Sequence, residues 1–304
     1  MAIDARTREV LRRLELDVTH RLDGLLQGDY RGLVSGLGSE PGDSRLYVPG
    51  DDVRRMDWNV TARMGEPHVR DTVADRELET SILVDLSPSL DFGTALRTKA
   101  ELALAAVAAI GLLTDRAGNR LGAVVSDGSD IQEFKTGTGR RHLMALLLRL
   151  HTLATSDATL SKGGSERDQT LADAMLRLTR PSHRGGLAVI ISDLLADDWL
   201  EPLKAVSRRH ETLVLEIVDP RELELPDVGV IELVDRETGA VREVDTRNRK
   251  LRSRYAEAGR TRLAEHADAI RSARADHLVL RTDRDWVIDL AQFVDGRRRG
   301  RRVA

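Results

Sequence analysis

The chain is 304 residues long and carries 47 Lys and Arg against 50 Asp and Glu, so its net charge of −3 offers no overall attraction to nucleic acid or a membrane surface. Cysteine is absent, which excludes disulfides, thiolate metal sites and cysteine nucleophiles and suits a reducing compartment. With three residues each of Phe, Trp and Tyr, the core must be built from aliphatic side chains, and a surface that stacks nucleic-acid bases is not expected. At roughly 150 residues per domain, the length allows two domains or one enlarged α/β domain. No stretch reaches the ~18 apolar residues of a membrane span and no targeting signal opens the chain, so a cytoplasmic protein is expected.

Val10, Leu14, Val18, Leu22 and Leu26 recur at helical spacing and predict an amphipathic helix over 7–27, closed by Gly28. From Gly28 to about Gly50, glycines and prolines predict loop and tight turns; Gly36, Gly38 and Gly42 match neither the dinucleotide fingerprint nor the phosphate loop. Glu79 to Asp85 reads ETSILVD, a buried strand ending in an acid. A helix over Lys99–Leu113, strands over Arg120–Ser126 and Ile131–Phe134 joined through Asp127 and Gly128, and helices over Arg140–His151 and Thr170–Leu178 follow. Gly186 to Asp193, GLAVIISD, is a second apolar strand ending in an acid. Helix Trp199–Arg209, strand Thr212–Val218, helix Arg247–Ala275, strand His277–Leu280 and helix Asp285–Phe293 complete a β/α alternation. The expected fold is α/β: a doubly wound, mainly parallel sheet of Rossmann type, with an N-terminal helix and a small β-rich addition. That addition is assembled from the segment Tyr47–Val73 and a hairpin over Gly229–Val244, turning near Glu237, Thr238 and Gly239.

In such a sheet, ligands bind outside the carboxyl ends of the strands, where Asp85 and Asp193 both stand. Asp85, Ser87 and Ser89 form D-x-S-x-S, and alternate loop residues facing one way would set two hydroxyls and a carboxylate around one point. Such hard oxygen donors suit Mg²⁺. Thr170, opening a helix, can add a hydroxyl and Asp193 a second carboxylate. The competing reading of Asp85, Ser87 and Ser89 is a polar loop capping the next helix, and a helix N-cap also accounts for Thr170.

In chain order Asp85, Ser87, Ser89, Thr170 and Asp193 resemble the metal-ion-dependent adhesion site of von Willebrand factor type A domains. The segment RLYVPGDDVRRMDWNVTAR over Arg45–Arg63 and VDRETG over Val234–Gly239 extend the likeness to a bacterial family of unknown function with a type A-like domain. The resemblance implies a Mg²⁺ or other divalent ion whose coordination is completed by an acidic side chain of a partner. It also implies a MoxR-type AAA+ ATPase as that partner, with this chain as adaptor. Where type A domains usually carry Thr-Asp-Gly, this chain has Ser192, Asp193 and Leu194; Ser126, Asp127 and Gly128 match more closely in letters but lie in a hairpin and precede Thr170.

The resulting layout is an N-terminal helix and extension over 1–75, a type A-like domain over 76–296 with a hairpin insertion at about 228–246, and a basic tail over 297–304 with Arg297, Arg298, Arg299, Arg301 and Arg302. Tyr47, Asp51, Asp52, Arg54, Asp57 and Trp58 read either as a hydrogen-bonded turn anchored by a buried Trp58 or as a partner-binding segment. The histidines provide no ligand pair. A Mg²⁺-dependent phosphoryl hydrolase using Asp85 is the alternative to a binding module. Against it, the position two residues on, where aspartyl phosphatases carry a second Asp, is Ser87, and no nucleophile elbow occurs. The expectation is therefore a protein-interaction module and not an enzyme.

Overall fold

The computed structural model describes residues 13, 16–22, 24–25, 44–48, 56–70, 79–155, 170–180, 185–234 and 241–302. By its contacts the chain divides into a small unit, 34–77, and a larger unit made of 1–33 and 78–304.

In the small unit, β1 (Ser44–Leu46) pairs antiparallel with β2 (His68–Arg70), and α1 (Trp58–Met64) lies between them in sequence. A three-residue strand is too short to leave an alternation pattern, which is why β1 falls in the stretch expected to be loop. Asp57 caps α1: its buried carboxylate accepts from the backbone N–H of Asn59 and Val60 at 3.1 and 3.2 Å. Capping turns Asp57 inward and leaves Trp58, the first helical residue, 68% exposed, so Trp58 is not the expected core anchor. Tyr47 donates its N–H to Pro67 O at 2.8 Å; Asp51, Asp52 and Arg54 lie outside the described residues.

The larger unit contains β3 (Glu79–Asp85), α2 (Lys99–Arg116), β4 (Arg120–Ser126), β5 (Ile131–Gly137), α3 (Arg140–Thr155), α4 (Leu171–Leu178) and β6 (Leu187–Ser192). It continues with α5 (Leu200–Ser207), β7 (Glu211–Val218), α6 (Pro220–Leu223), β8 (Val230–Val234), β9 (Val241–Asp245), α7 (Arg249–Ser272), β10 (Asp276–Arg281) and α8 (Trp286–Arg302). Six strands form one sheet in the order β10-β7-β6-β3-β4-β5, parallel except for β5, which returns antiparallel to β4. This is the expected doubly wound, mainly parallel sheet. Counted along the chain, its strands run in the doubly wound order that reverses direction between the first strand, β3, and the fourth, β6, and crevices form at that reversal.

The centre of the sheet is apolar on both faces because helices cover both. Val124, Leu83, Ile190 and Val214 stand abreast on adjacent strands and pack, fully buried, against Ala174, Met175 and Leu178 of α4, Leu203 of α5 and Ile270 of α7. The opposite face, with Ile82, Val125, Ile191 and Leu215, meets the Ala- and Leu-rich α2. Val18 and Leu22, two residues of the N-terminal apolar stripe, are buried, and this helical segment belongs to the larger unit instead of the N-terminal extension.

Two further expectations are corrected. The β8–β9 hairpin belongs to the larger unit and forms its own two-stranded sheet, so it does not join Tyr47–Val73 in one β-rich addition. Helix α8 runs on to Arg302, well past Phe293, because arginine is a good helix former. Arg297, counted in the basic tail, is instead part of this helix and pairs with Glu211 and Asp276, acids at the amino ends of β7 and β10. Among the described residues no helix is long and apolar enough to cross a membrane.

Candidate functional site

β3 is buried along its whole length and delivers Asp85 to the carboxyl edge of the sheet at the reversal point, where the residue is 4% exposed. One carboxylate oxygen accepts the N–H of Ser87 at 2.9 Å and the other accepts the hydroxyl of Ser192, from the end of β6, at 2.7 Å. The first bond folds the loop back on Asp85 and, with the turn Pro88–Leu90, brings the Ser87 and Ser89 hydroxyls to 3.0 Å from each other. Burial and the negative charge of Asp193 push the Asp85 carboxyl above its ordinary range, against the lowering effect of the hydrogen bonds from Ser192 and Ser87. Among the described residues no basic side chain pairs with Asp85.

Asp193 follows Ser192 and is also 4% exposed. Its Oδ1 accepts the N–H of Leu195 at 3.2 Å, and its Oδ2 accepts from Lys99 Nζ at 2.6 Å. Lys99 is the first residue of α2, its side chain is wholly buried, and it reaches Glu222 Oε1 of α6 at 2.6 Å as well. Phe92 supports the ammonium from 6.0 Å. The chain bends sharply here: Leu194 has φ of 54°, in the left-handed region.

Behind this pair lies Asp219, fully buried at the end of β7. It accepts from Thr94 N–H and hydroxyl at 2.9 and 2.7 Å, from Thr282 Oγ1 at 2.7 Å and from Arg221 N–H at 2.9 Å. Burial acts to raise its carboxyl, but these hydrogen bonds outweigh it and hold the group below its ordinary value. The N–H of Asp219 in turn donates to Glu222 Oε2 at 3.0 Å. The long helix α7 passes close at Gly259, where any Cβ would lie 3.3 Å from Glu222 O.

Thr170 takes a different part. It is exposed, its hydroxyl accepts from Asp173 N–H at 3.3 Å, and its own N–H donates to the Asp173 carboxylate at 3.2 Å, a capping box that opens α4. Asp127 is absorbed by its hairpin turn, accepting from Ser129 and Asp130 N–H at 2.9 and 2.7 Å. Gly128, at φ 88°, lets that turn approach the Asp85 loop: a Cβ there would stand 3.5 Å from Pro88 Cδ. The structure thus gathers Asp85, Ser87 and Ser89, sets Asp193 next to them with its carboxylate turned to Lys99, and commits Thr170 to its helix.

Among the described residues no group of three or more His, Asp or Glu side chains is placed to hold a metal ion. A set of one carboxylate and two hydroxyls nevertheless fits a small divalent cation. Adjacent ligands of an octahedral Mg²⁺ at ~2.0–2.1 Å stand roughly 3 Å apart, which is the spacing of the Ser87 and Ser89 hydroxyls. The buried negative charge of Asp85 is what such an ion would neutralise.

Lys99, Glu222, Ser192 and Asp219 are absent from the set expected from sequence. Lys99 left one weak signal: a cation in the first turn of a helix opposes the helix dipole and is favoured there by acids nearby.

Fold and crevice together define a doubly wound α/β domain with an acid- and hydroxyl-lined loop at its reversal point. The chain belongs to the family described as protein of unknown function DUF58, whose model matches residues 43–265. It is 50% identical over 298 residues to Rv1480 of Mycobacterium tuberculosis (strain H37Rv), covering 98% of this chain and 92% of that one. Among solved structures it is similar to BatB from Bacteroides thetaiotaomicron, with TM-score 0.41 and 16% identity over 73% of this chain and 99% of that chain. It is also similar to the SpRpn10 VWA domain, with TM-score 0.38 and 10% identity over 71% and 94% of the respective chains.

Proposed function

We propose that the crevice is a metal-dependent protein-docking site, in which Asp85, Ser87 and Ser89 hold Mg²⁺ and a carboxylate from another protein completes its coordination. The observation that carries this reading is the hydroxyl pair at 3.0 Å beside a buried carboxylate with no basic partner among the described residues. When bound, the ion supplies Lewis acidity toward an anionic oxygen. The chain's own residues do the rest: Ser192 and the Ser87 N–H orient the Asp85 carboxylate, and the Pro88–Leu90 turn holds the two hydroxyls within hydrogen-bond distance of each other. Asp193 contributes negative field from the second layer. Thr170 is left out of the set, since its hydrogen bonds serve α4.

The resemblance of Arg45–Arg63 and Val234–Gly239 to the bacterial family supports a MoxR-type AAA+ ATPase as partner and a role as adaptor. Binding is favoured over phosphoryl hydrolysis because Ser87 occupies the position where a phosphatase needs a second acid. The test is affinity for a co-expressed MoxR-type ATPase in Mg²⁺, in chelator, and with Asp85→Ala or Ser87→Ala. Binding that is present in Mg²⁺ and lost in chelator and in either variant supports the reading; binding unchanged by chelator and by both substitutions removes it, and Asp85-dependent phosphatase turnover would put an enzyme in its place.

A further inference from the structure

We propose that Lys99 is a built-in counter-cation that withholds Asp193 from the divalent ion and thereby sets how weakly the crevice holds metal before a partner arrives. This rests on the docking reading above and adds the residue that regulates it.

The buried ammonium of Lys99 touches both Asp193 Oδ2 and Glu222 Oε1 at 2.6 Å. Neither acid is free to follow a metal. The other oxygen of Asp193 accepts from Leu195 N–H, and the other oxygen of Glu222 accepts from Asp219 N–H. Asp219 is itself fixed by Thr94, Thr282 and the Arg221 N–H. At the other end, Lys99 is fixed by the start of α2: its N–H donates to Phe92 O at 2.7 Å, and the Thr98–Glu101 capping box sets the first turn. The ammonium is therefore clamped and cannot swing out to water. For Asp193 to ligate an ion, it would have to leave Lys99 buried beside a single carboxylate, which the low-polarity surroundings oppose. The ion is left with one charged ligand, Asp85, and the Lys99 ammonium offsets part of the negative field that Asp193 and Glu222 would otherwise give it. Both effects lower its affinity, and both increase what a partner's carboxylate adds on binding.

The experiment measures Mn²⁺ and Mg²⁺ binding to the purified full chain without any partner, by water-proton relaxation and titration calorimetry. Lys99→Met is compared with Lys99→Met combined with Glu222→Gln. The double variant removes one positive and one negative charge, so the cluster keeps its net charge, and a gain in affinity reports release of Asp193 and not a change in the general field. We expect the double variant to bind Mn²⁺ on the order of tenfold more tightly than the natural chain, and added Mn²⁺ to raise its melting temperature by more. If Lys99→Met alone unfolds, the double variant, with a single uncompensated acid, carries the test. Binding by the natural chain and the double variant with equal affinity overturns the role of Lys99 and leaves the docking reading standing. Absence of metal binding by both removes the docking reading and this inference together.

Discussion

Lys99 Nζ lies 2.6 Å from Asp193 Oδ2, and the two side chains are 0% and 3% exposed. Sealed ion pairs are costly to break from one side, because the partner is left charged and without water. Lys99→Ala leaves both Asp193 and Glu222 in that state. It should lower stability by about 3–5 kcal/mol, measured by urea unfolding at neutral pH; a loss below about 1 kcal/mol, typical of exposed pairs, would mean the cluster is wet.

Asp85 presents the opposite case, a buried carboxylate whose proton affinity is raised by burial and by the Asp193 charge. The folded state binds the Asp85 proton more tightly than the unfolded state does, so in a metal-free protein this group costs stability as pH rises from the unfolded value through the folded one. Asp85→Asn keeps an acceptor for the Ser87 N–H and removes the charge. Its melting temperature at neutral pH in chelator should exceed that of the natural chain by the equivalent of about 0.5–2 kcal/mol, while its response to Mg²⁺ disappears. A lower melting temperature in chelator would show that the charge is already compensated.

Glu216 of β7 is 1% exposed and receives two imidazoles, His266 Nδ1 and His277 Nε2, each at 2.8 Å. His266 is further held edge-on by Trp199 at 5.6 Å between ring centroids. Burial acts to raise the Glu216 carboxyl, but the hydrogen bonds and charge of the two histidines outweigh it and hold it below its ordinary value. A depressed carboxyl contributes stability that is present above the unfolded value and lost as pH falls through the folded one. Glu216→Gln should therefore cost about 1–3 kcal/mol near pH 6, and the gap to the natural chain should narrow as pH drops below about 4. Denaturant melts at the two pH values measure this; a gap independent of pH would assign the loss to packing alone.

Asp219 collects donors from three separate segments: Thr94, Arg221 and Thr282. Asp219→Ala strands these donors and loosens the loop that leads into Lys99. Stability should fall by about 2–4 kcal/mol, and hydrogen exchange should accelerate at Thr94 and Thr282 before it does in the β3–β6 core. Protection unchanged at both residues would show that Asp219 does not hold the loop.

Much of this was legible in local spacing. ETSILVD marked β3 to the residue, and D-x-S-x-S announced that Asp85, Ser87 and Ser89 share one loop, because Asx-type hydrogen bonds span only two or three positions. The Thr170–Asp173 capping box was equally readable, and it explains Thr170 without a metal. The β/α alternation determined a parallel sheet covered on both faces. Sequence could not assign Trp58, since whether a tryptophan is an anchor or a surface residue depends on the direction a cap turns it. Nor could it foresee that Asp193 would pair with Lys99, 94 positions earlier, or that Glu222 would meet the same ammonium across 123. Periodicity encodes which residues face a core. Which charges meet inside the crevice was decided by the strand order, which brings the ends of β3 and β6 together and sets the head of α2 against them.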